Sequence, residues 1–193
     1  RHNSLQDCVE TWLARVCNLP WVDHEQVVPE WNRWVQKKNE TTGAPEFREV
    51  RTADGPRLEA VMELQQAVLD VAYTDDEGTR GYVDVAYTNA CTEDARATER
   101  NARTPGRAAS EREEHKRKRY PPQQNPHAEL TPFVVEARGR LGSEVLAFLK
   151  QHAPAEESLR PVVLATALRE ISIVTQTGLA RLLLSAEPRP VCV

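Results

Sequence analysis

The pentapeptide Asp-Val-Ala-Tyr-Thr occurs twice in close succession, at 70–74 and at 84–88, on either side of Asp75-Asp76-Glu77-Gly78. Short β-prone runs flanking an acidic, glycine-containing turn define a β-hairpin. With the turn centred on Gly78, Asp70 faces Ala86 and Asp84 faces Ala72. The two aspartates are then diagonal neighbours on one face, about 7–8 Å apart. Two carboxylates at that spacing converge on one divalent cation, with Mg–O distances of about 2.1 Å. The cation also offsets the cost of holding carboxylates among Val68, Leu69, Val71, Val83 and Val85. A slip of one residue sends the pair to opposite faces. The alternative is that the repeat reflects one packing demand met twice, in a region whose acids only mark a turn.

Helical periodicity opens the chain: Leu5, Cys8, Val9, Trp12, Leu13 and Val16 recur at three-and-four spacing, with Asn3 or Ser4 as N-cap and Asn18-Leu19-Pro20 as the stop. A strand is expected at 21–28, ended by Pro29. Residues 30–66 read as a loop or an insertion, polar over 30–56 with Thr41-Thr42-Gly43-Ala44-Pro45 and Asp54-Gly55-Pro56. After the hairpin come a charged helical segment at 92–119, split by Pro105-Gly106, and a turn at Tyr120–Pro126. A strand follows at Leu130–Ala137 with Pro132 near its start. Ser143 caps a helix running to Lys150, and a last apolar helix or helix pair covers 161–186. The order is α, β, long connection, β, β, α, β, α, α, which is an α/β (α+β) arrangement. A single domain over 1–187 is expected, with 188–193 as a tail.

At 193 residues the chain has room for one ordinary domain with appended helices. Lys and Arg number 25 against 29 Asp and Glu, a net charge of −4, so a nucleic-acid partner has to be argued from where the cations sit. Cys8, Cys17, Cys91 and Cys192 show no metal-ligand spacing and read as reduced cysteines of an intracellular protein. Phosphate-binding glycine loops, His-Glu-x-x-His and Gly-x-Ser-x-Gly are absent. No uninterrupted apolar run approaches the roughly 18–20 residues of a membrane span, so no membrane is expected. The first residue is Arg1, as expected of a domain cut from something longer.

The cations concentrate between the hairpin and the 130–137 strand. Arg96, Arg100 and Arg103 form a stripe at i, i+4 and i+7, and Lys116-Arg117-Lys118-Arg119 runs into Tyr120. On an acidic chain this is a local phosphate footprint. The competing description is a solvated helix balanced by Glu93, Asp94, Glu99, Glu111, Glu113 and Glu114. Phosphodiester hydrolysis needs a cation to polarise the phosphate and a positive side chain near the attacking water. The aspartates supply a place for the first and a lysine of the following helix the second.

In order and spacing the chain resembles one family. Asp70 is followed after thirteen residues by Asp84 in a Val-Asp-Val strand, then by the basic helix ending Lys116-Arg117-Lys118-Arg119-Tyr120, then by Thr131-Pro132-Phe133-Val134-Val135-Glu136-Ala137-Arg138-Gly139. The opening Arg1-His2-Asn3-Ser4-Leu5 resembles the Arg-His-Asn-x-Leu that starts the same domain. The family is the restriction-enzyme-like endonuclease domain of non-LTR retrotransposon polyproteins. The resemblance implies a PD-(D/E)XK nuclease-like core, a central mixed sheet flanked by helices with C-terminal helices added. It implies nicking of double-stranded target DNA so that the exposed 3′ end primes reverse transcription, with Mg²⁺ or Mn²⁺ as cofactor. A reverse transcriptase and a zinc-knuckle region would precede the domain, and the product would act in the nucleus at integration.

By position, Asp70 and Asp84 match the metal-binding acids, although Leu69 stands where the motif often has Pro. Ala86 occupies the usual lysine position, and in this branch the lysine moves to the helix, where Lys116 is the match and Lys118 the substitute. Arg96, Arg100, Arg103, Arg117, Arg119, Tyr120 and Arg138 are the expected DNA contacts, positioning the backbone without reading sequence. Two other outcomes remain open: a catalytically inactive nucleic-acid-binding module from a decayed element, and a helical interaction domain that docks a partner through 161–186.

Overall fold

The fold is given by a computed structural model that describes residues 2–53 and 55–185, so the expected 188–193 tail and Cys192 lie outside the described residues. The described residues divide into two compact units, one formed by those up to 26 together with those from 69 onward, the other by 27–68.

The larger unit carries a four-stranded mixed sheet in the order β1 (Trp21–Val27), β6 (Val68–Thr74), β7 (Arg80–Thr88), β8 (Ala128–Glu136). β6 and β7 are antiparallel, and β7 and β8 are parallel with Asp84 beside Pro132 and Thr88 beside Glu136. Pro132 is tolerated because β8 lies at the sheet edge. Helices α1 (His2–Thr11, prolonged by a π-helical turn at Trp12–Val16), α4 (Ser143–His152) and α5 (Arg160–Ser185) cover one sheet face. There Leu5, Val9, Leu13, Phe148, Leu149 and Ile171 meet Val71, Tyr73, Val83, Val85, Phe133 and Val135. The alternation of β7 and β8 sends Asp84, Ala86 and Val134 to the other face, where α3 (Arg107–Arg119) packs through Ala109. α2 (Ala95–Arg103) precedes α3, with Asp94 capping its first turn (Asp94 Oδ1 accepts from Arg96 N–H at 2.9 Å) and Pro105-Gly106 separating the two. This matches the expected mixed α/β class, and outside 27–68 the elements follow the expected order, with the 92–119 segment divided into α2 and α3. It also corrects two caps. Asn3 and Ser4 lie inside α1, and Ser143 is the first residue of α4 rather than its cap.

The hairpin register differs from the expected one. Val71 pairs with Val83, Ala72 with Tyr82 and Tyr73 with Gly81; the ladder ends at Val71, and the same count carried one residue further sets Asp70 against Asp84. The cause is Asp75. Its carboxylate accepts from the Glu77 and Thr79 N–H groups at 3.0 and 2.8 Å, closing the loop over 75–79 instead of around Gly78. The shift is by an even number of residues, so both aspartates stay on one face.

The 27–68 unit is not the loop expected at 30–66. It holds two antiparallel ribbons, β2 (Arg33–Gln36) with β5 (Met62–Gln65) and β3 (Phe47–Thr52) with β4 (Gly55–Ala60). Polar residues alternate with Trp34, Val35, Phe47, Val50, Leu58 and Leu64 there, and a two-stranded ribbon needs no continuous apolar run. A second difference concerns α5. Val, Leu, Ile and Ala outweigh Arg169 and Glu170, so Arg160–Arg181 is by length and composition long and apolar enough to cross a membrane, and Ala167, Ile171 and Thr175 are its buried residues. Burial pushes the Cys8 thiol up to about 11 and the Cys17 thiol up to about 12, so both stay protonated near neutral pH.

Two core contacts set measurable limits. Gly81 faces Tyr73 so closely that a Cβ there would sit 2.0 Å from the ring, and Gly81→Ala is expected to cost about 1–3 kcal/mol in urea denaturation. His152 lies 3.2 Å from the Tyr73 hydroxyl and edge-on to the Tyr73 and Phe148 rings, and burial holds its pKa below the ordinary value, with Asp75 and Glu129 pulling weakly the other way. The unfolded imidazole binds its proton at about pH 6.5 while the folded one resists, so this contribution is intact above that pH and lost below it. The urea midpoint should therefore fall between pH 7 and pH 5, and more steeply in the wild type than in His152→Gln.

Candidate metal and phosphate site

β6, β7 and α3 bring the three expected reaction-centre residues together. Asp84 and Lys116 are buried, at 8% and 6% exposure, and Lys116 Nζ lies 2.5 Å from Asp84 Oδ1. The same ammonium is 3.4 Å from the Val85 carbonyl oxygen, and the Val85 N–H donates to Asp70 Oδ2 at 2.6 Å. Asp70 is thereby fixed to β7 where the regular ladder has ended. Burial pushes the Lys116 pKa below its ordinary range; Asp84 opposes that, the Arg112 charge adds to it, and Asp70 pulls upward.

The pair opens into a groove of about 530 Å³ lined by Asp84, Val85, Ala86, Tyr87, Arg112, His115, Lys116, Arg119 and Tyr120. Arg112, Lys116 and Arg119 stand at i, i+4 and i+7 on α3, so one helix face presents them together. The Arg119 guanidinium lies 4.9 Å from the centroid of the Tyr120 ring. Arg112 and His115 were not among the expected contacts. Their signal was available, since a helix restarting after Gly106 puts Arg112 in phase with Lys116.

Other expected residues are placed elsewhere. Lys118 is exposed and pairs with Glu114 at 2.6 Å, one turn back on α3, away from the aspartates. Arg117 forms a two-pronged pair with Glu144 of α4 and is not directed into the groove. Arg103 pairs with Glu99 at 2.5 Å, and Arg96 and Arg100 are exposed on α2, outside the groove lining. Arg138 follows β8 and lines a separate cavity of about 140 Å³ with Glu136, Asn89, Cys91 and Thr98. The stripe on α2 is thus a different surface from the groove.

The donor set suits a hard cation. Asp70, Asp84 and the Val85 carbonyl offer only oxygen, as Mg²⁺ and Mn²⁺ prefer. A carboxylate oxygen carries more than one lone pair, so one that accepts a hydrogen bond can also ligate a cation. Among the described residues, the grouping with three potential metal ligands within 4.8 Å of one another is a different one, Asp7, Glu10 and His24. It is explained by an ion pair, His24 Nδ1 to Glu10 Oε2 at 2.9 Å, and the Glu10 hydrogen bond raises the His24 pKa. No protein-family model matches the chain, and a search of curated proteins finds no match.

The two lysines make contrasting predictions. Lys116→Met leaves Asp84 buried without its cation and should cost about 3 kcal/mol of stability. Lys118→Met removes one arm of an exposed pair and should leave the denaturation midpoint within error of the wild type.

Proposed function

We propose that the chain is a metal-dependent DNA endonuclease domain with a PD-(D/E)XK-like core, hydrolysing a phosphodiester to leave a nick. The observation that carries this reading is Lys116 held at 2.5 Å from Asp84 in a groove also lined by Arg112, His115 and Arg119, with the Asp70 carboxylate tied to the next residue of β7 through the Val85 N–H. Asp70 and Asp84 would hold a Mg²⁺ or Mn²⁺, which would supply Lewis-acid polarisation of the phosphate and lower the pKa of a water.

The chain's own residues supply the rest. Arg112 and Arg119 neutralise phosphate oxygens as the backbone enters the groove, which fixes the scissile bond without reading bases. Lys116, constrained by Asp84 and the Val85 carbonyl, presents its remaining N–H to the attacking water and orients it. Burial weakens the ammonium's hold on its proton, which favours exchange with that water. Such a nick exposes a 3′ hydroxyl, and a reverse transcriptase in the same polyprotein would extend it in the nucleus.

One observation favours a second reading. Lys116 already pairs with Asp84, so an ammonium offsets that carboxylate, an arrangement that also suits an inactive nucleic-acid-binding module. Supercoiled-plasmid nicking in Mg²⁺ separates the two. The wild type should nick, Asp70→Asn and Asp84→Asn should fall to background, and Lys116→Met should lose about a hundredfold or more. A wild type that nicks no better than Asp84→Asn overturns the enzyme reading. Salt-dependent DNA binding would then mark the inactive module, and no binding at low salt would leave a protein-interaction domain.

A further inference from the structure

The buried residues of α3 are Ala108, Ala109, Glu113 and Lys116. Two alanines offer little apolar area, so apolar packing alone fixes neither the rotation of α3 nor its height along β7. We propose that Glu113, seated against Gly142, is the positioning residue that holds Lys116 on Asp84. This rests on the reading of Asp84 and Lys116 as the reaction centre.

Glu113 lies one turn before Lys116 and is 4% exposed. Its Oε1 accepts from the Glu144 N–H and its Oε2 from the Ser143 hydroxyl, both at 3.1 Å, so a carboxylate of α3 caps the N-terminus of α4. Burial raises its pKa and the Glu144 charge adds to the rise, while the two hydrogen bonds and Arg117 oppose it without cancelling it. The positive end of α4 suits a carboxylate in that position. The seat exists because residue 142 is glycine: a Cβ there would lie 2.0 Å from Glu113 Oε1. Gly142 is itself tied to β8, donating from its N–H to the Val134 carbonyl at 2.9 Å. β8 runs parallel to β7, which carries Asp84. One rigid path therefore connects the strand beside Asp84 to the turn of α3 that bears Lys116. Arg117 closes the same junction from the next residue by gripping Glu144.

The test measures the Lys116 amine directly, by acetic anhydride labelling and mass spectrometry, beside plasmid nicking in Mg²⁺. Glu113→Ala removes the seated carboxylate, and Gly142→Ala evicts it while leaving its charge; Gly142 has φ −65°, which alanine adopts, and the added Cβ also presses on the Val134 carbonyl at 3.2 Å, so Glu113→Ala is the cleaner of the two. In both variants Lys116 should acetylate about fivefold faster than in the wild type while Lys118 keeps its wild-type rate. For nicking, kcat should fall about a hundredfold with KM for DNA unchanged. Glu113→Gln keeps an acceptor for the Glu144 N–H and should restore both readouts. Wild-type protection of Lys116 in either folded variant, checked by thermal melting, overturns the proposal. If neither variant folds, Glu113→Asp, whose shorter side chain draws the carboxylate back from the Glu144 N–H, is read in the same way. Should the wild type not nick, the labelling result still decides the role of Glu113, and only the nuclease reading fails.

Discussion

A helix with two buried alanines and two buried charges is held to its sheet by electrostatic matching, and that is the condition of α3. The ammonium of Lys116 has left water for a place beside Asp84, an arrangement that is tolerable only when geometry and further hydrogen bonds offset the desolvation. The Val85 carbonyl provides one such bond on the Lys116 side, and the end of α4 provides the equivalent for Glu113. Apolar contacts tolerate sliding, whereas a hydrogen-bonded charge pair has a narrow minimum. The groove inherits that definition, because Arg112 and Arg119 ride on the same helix face.

The sheet beneath is organised for the same end. Its odd-numbered positions, Val71, Tyr73, Val83 and Val85, join the core under α1, α4 and α5. Its even positions carry Asp70, Asp84 and Ala86 toward α3. Alternation along two strands thus separates a dry face from a chemical one. Asp70 sits where β6 stops pairing regularly with β7, and its side chain takes up the Val85 N–H that a longer ladder would have used.

The sequence shows most of this frame and less of the site. The repeated Asp-Val-Ala-Tyr-Thr marks two strands and puts both aspartates on one face, because parity survives an even register shift. The register itself depends on Asp75, whose side chain imitates a backbone acceptor, and a residue count cannot foresee that. Lys116 and Lys118 are equivalent as letters and differ in helix phase, which only the restart after Gly106 decides. The arginines show the clearest limit: charge is visible in sequence, but partners are not, so Arg103 and Arg117 look available until Glu99 and Glu144 are seen beside them. Glu113 reads as one acid among several on a solvated helix, and its role depends on a glycine far along the chain. The ribbons at 27–68 carry too few consecutive apolar residues to stand out from a polar connection.

Those ribbons leave and rejoin the chain at nearly one point. The Val28 N–H donates to the Ala67 carbonyl at 2.8 Å, and the strands on either side, β1 and β6, are neighbours in the sheet. A segment whose ends are held this closely is tethered as a loop is: a change of length at the far turn between β3 and β4 need not be passed on to β1 and β6, whereas Val28, Trp31 and Ala67 at its base are buried and are not free to vary in the same way.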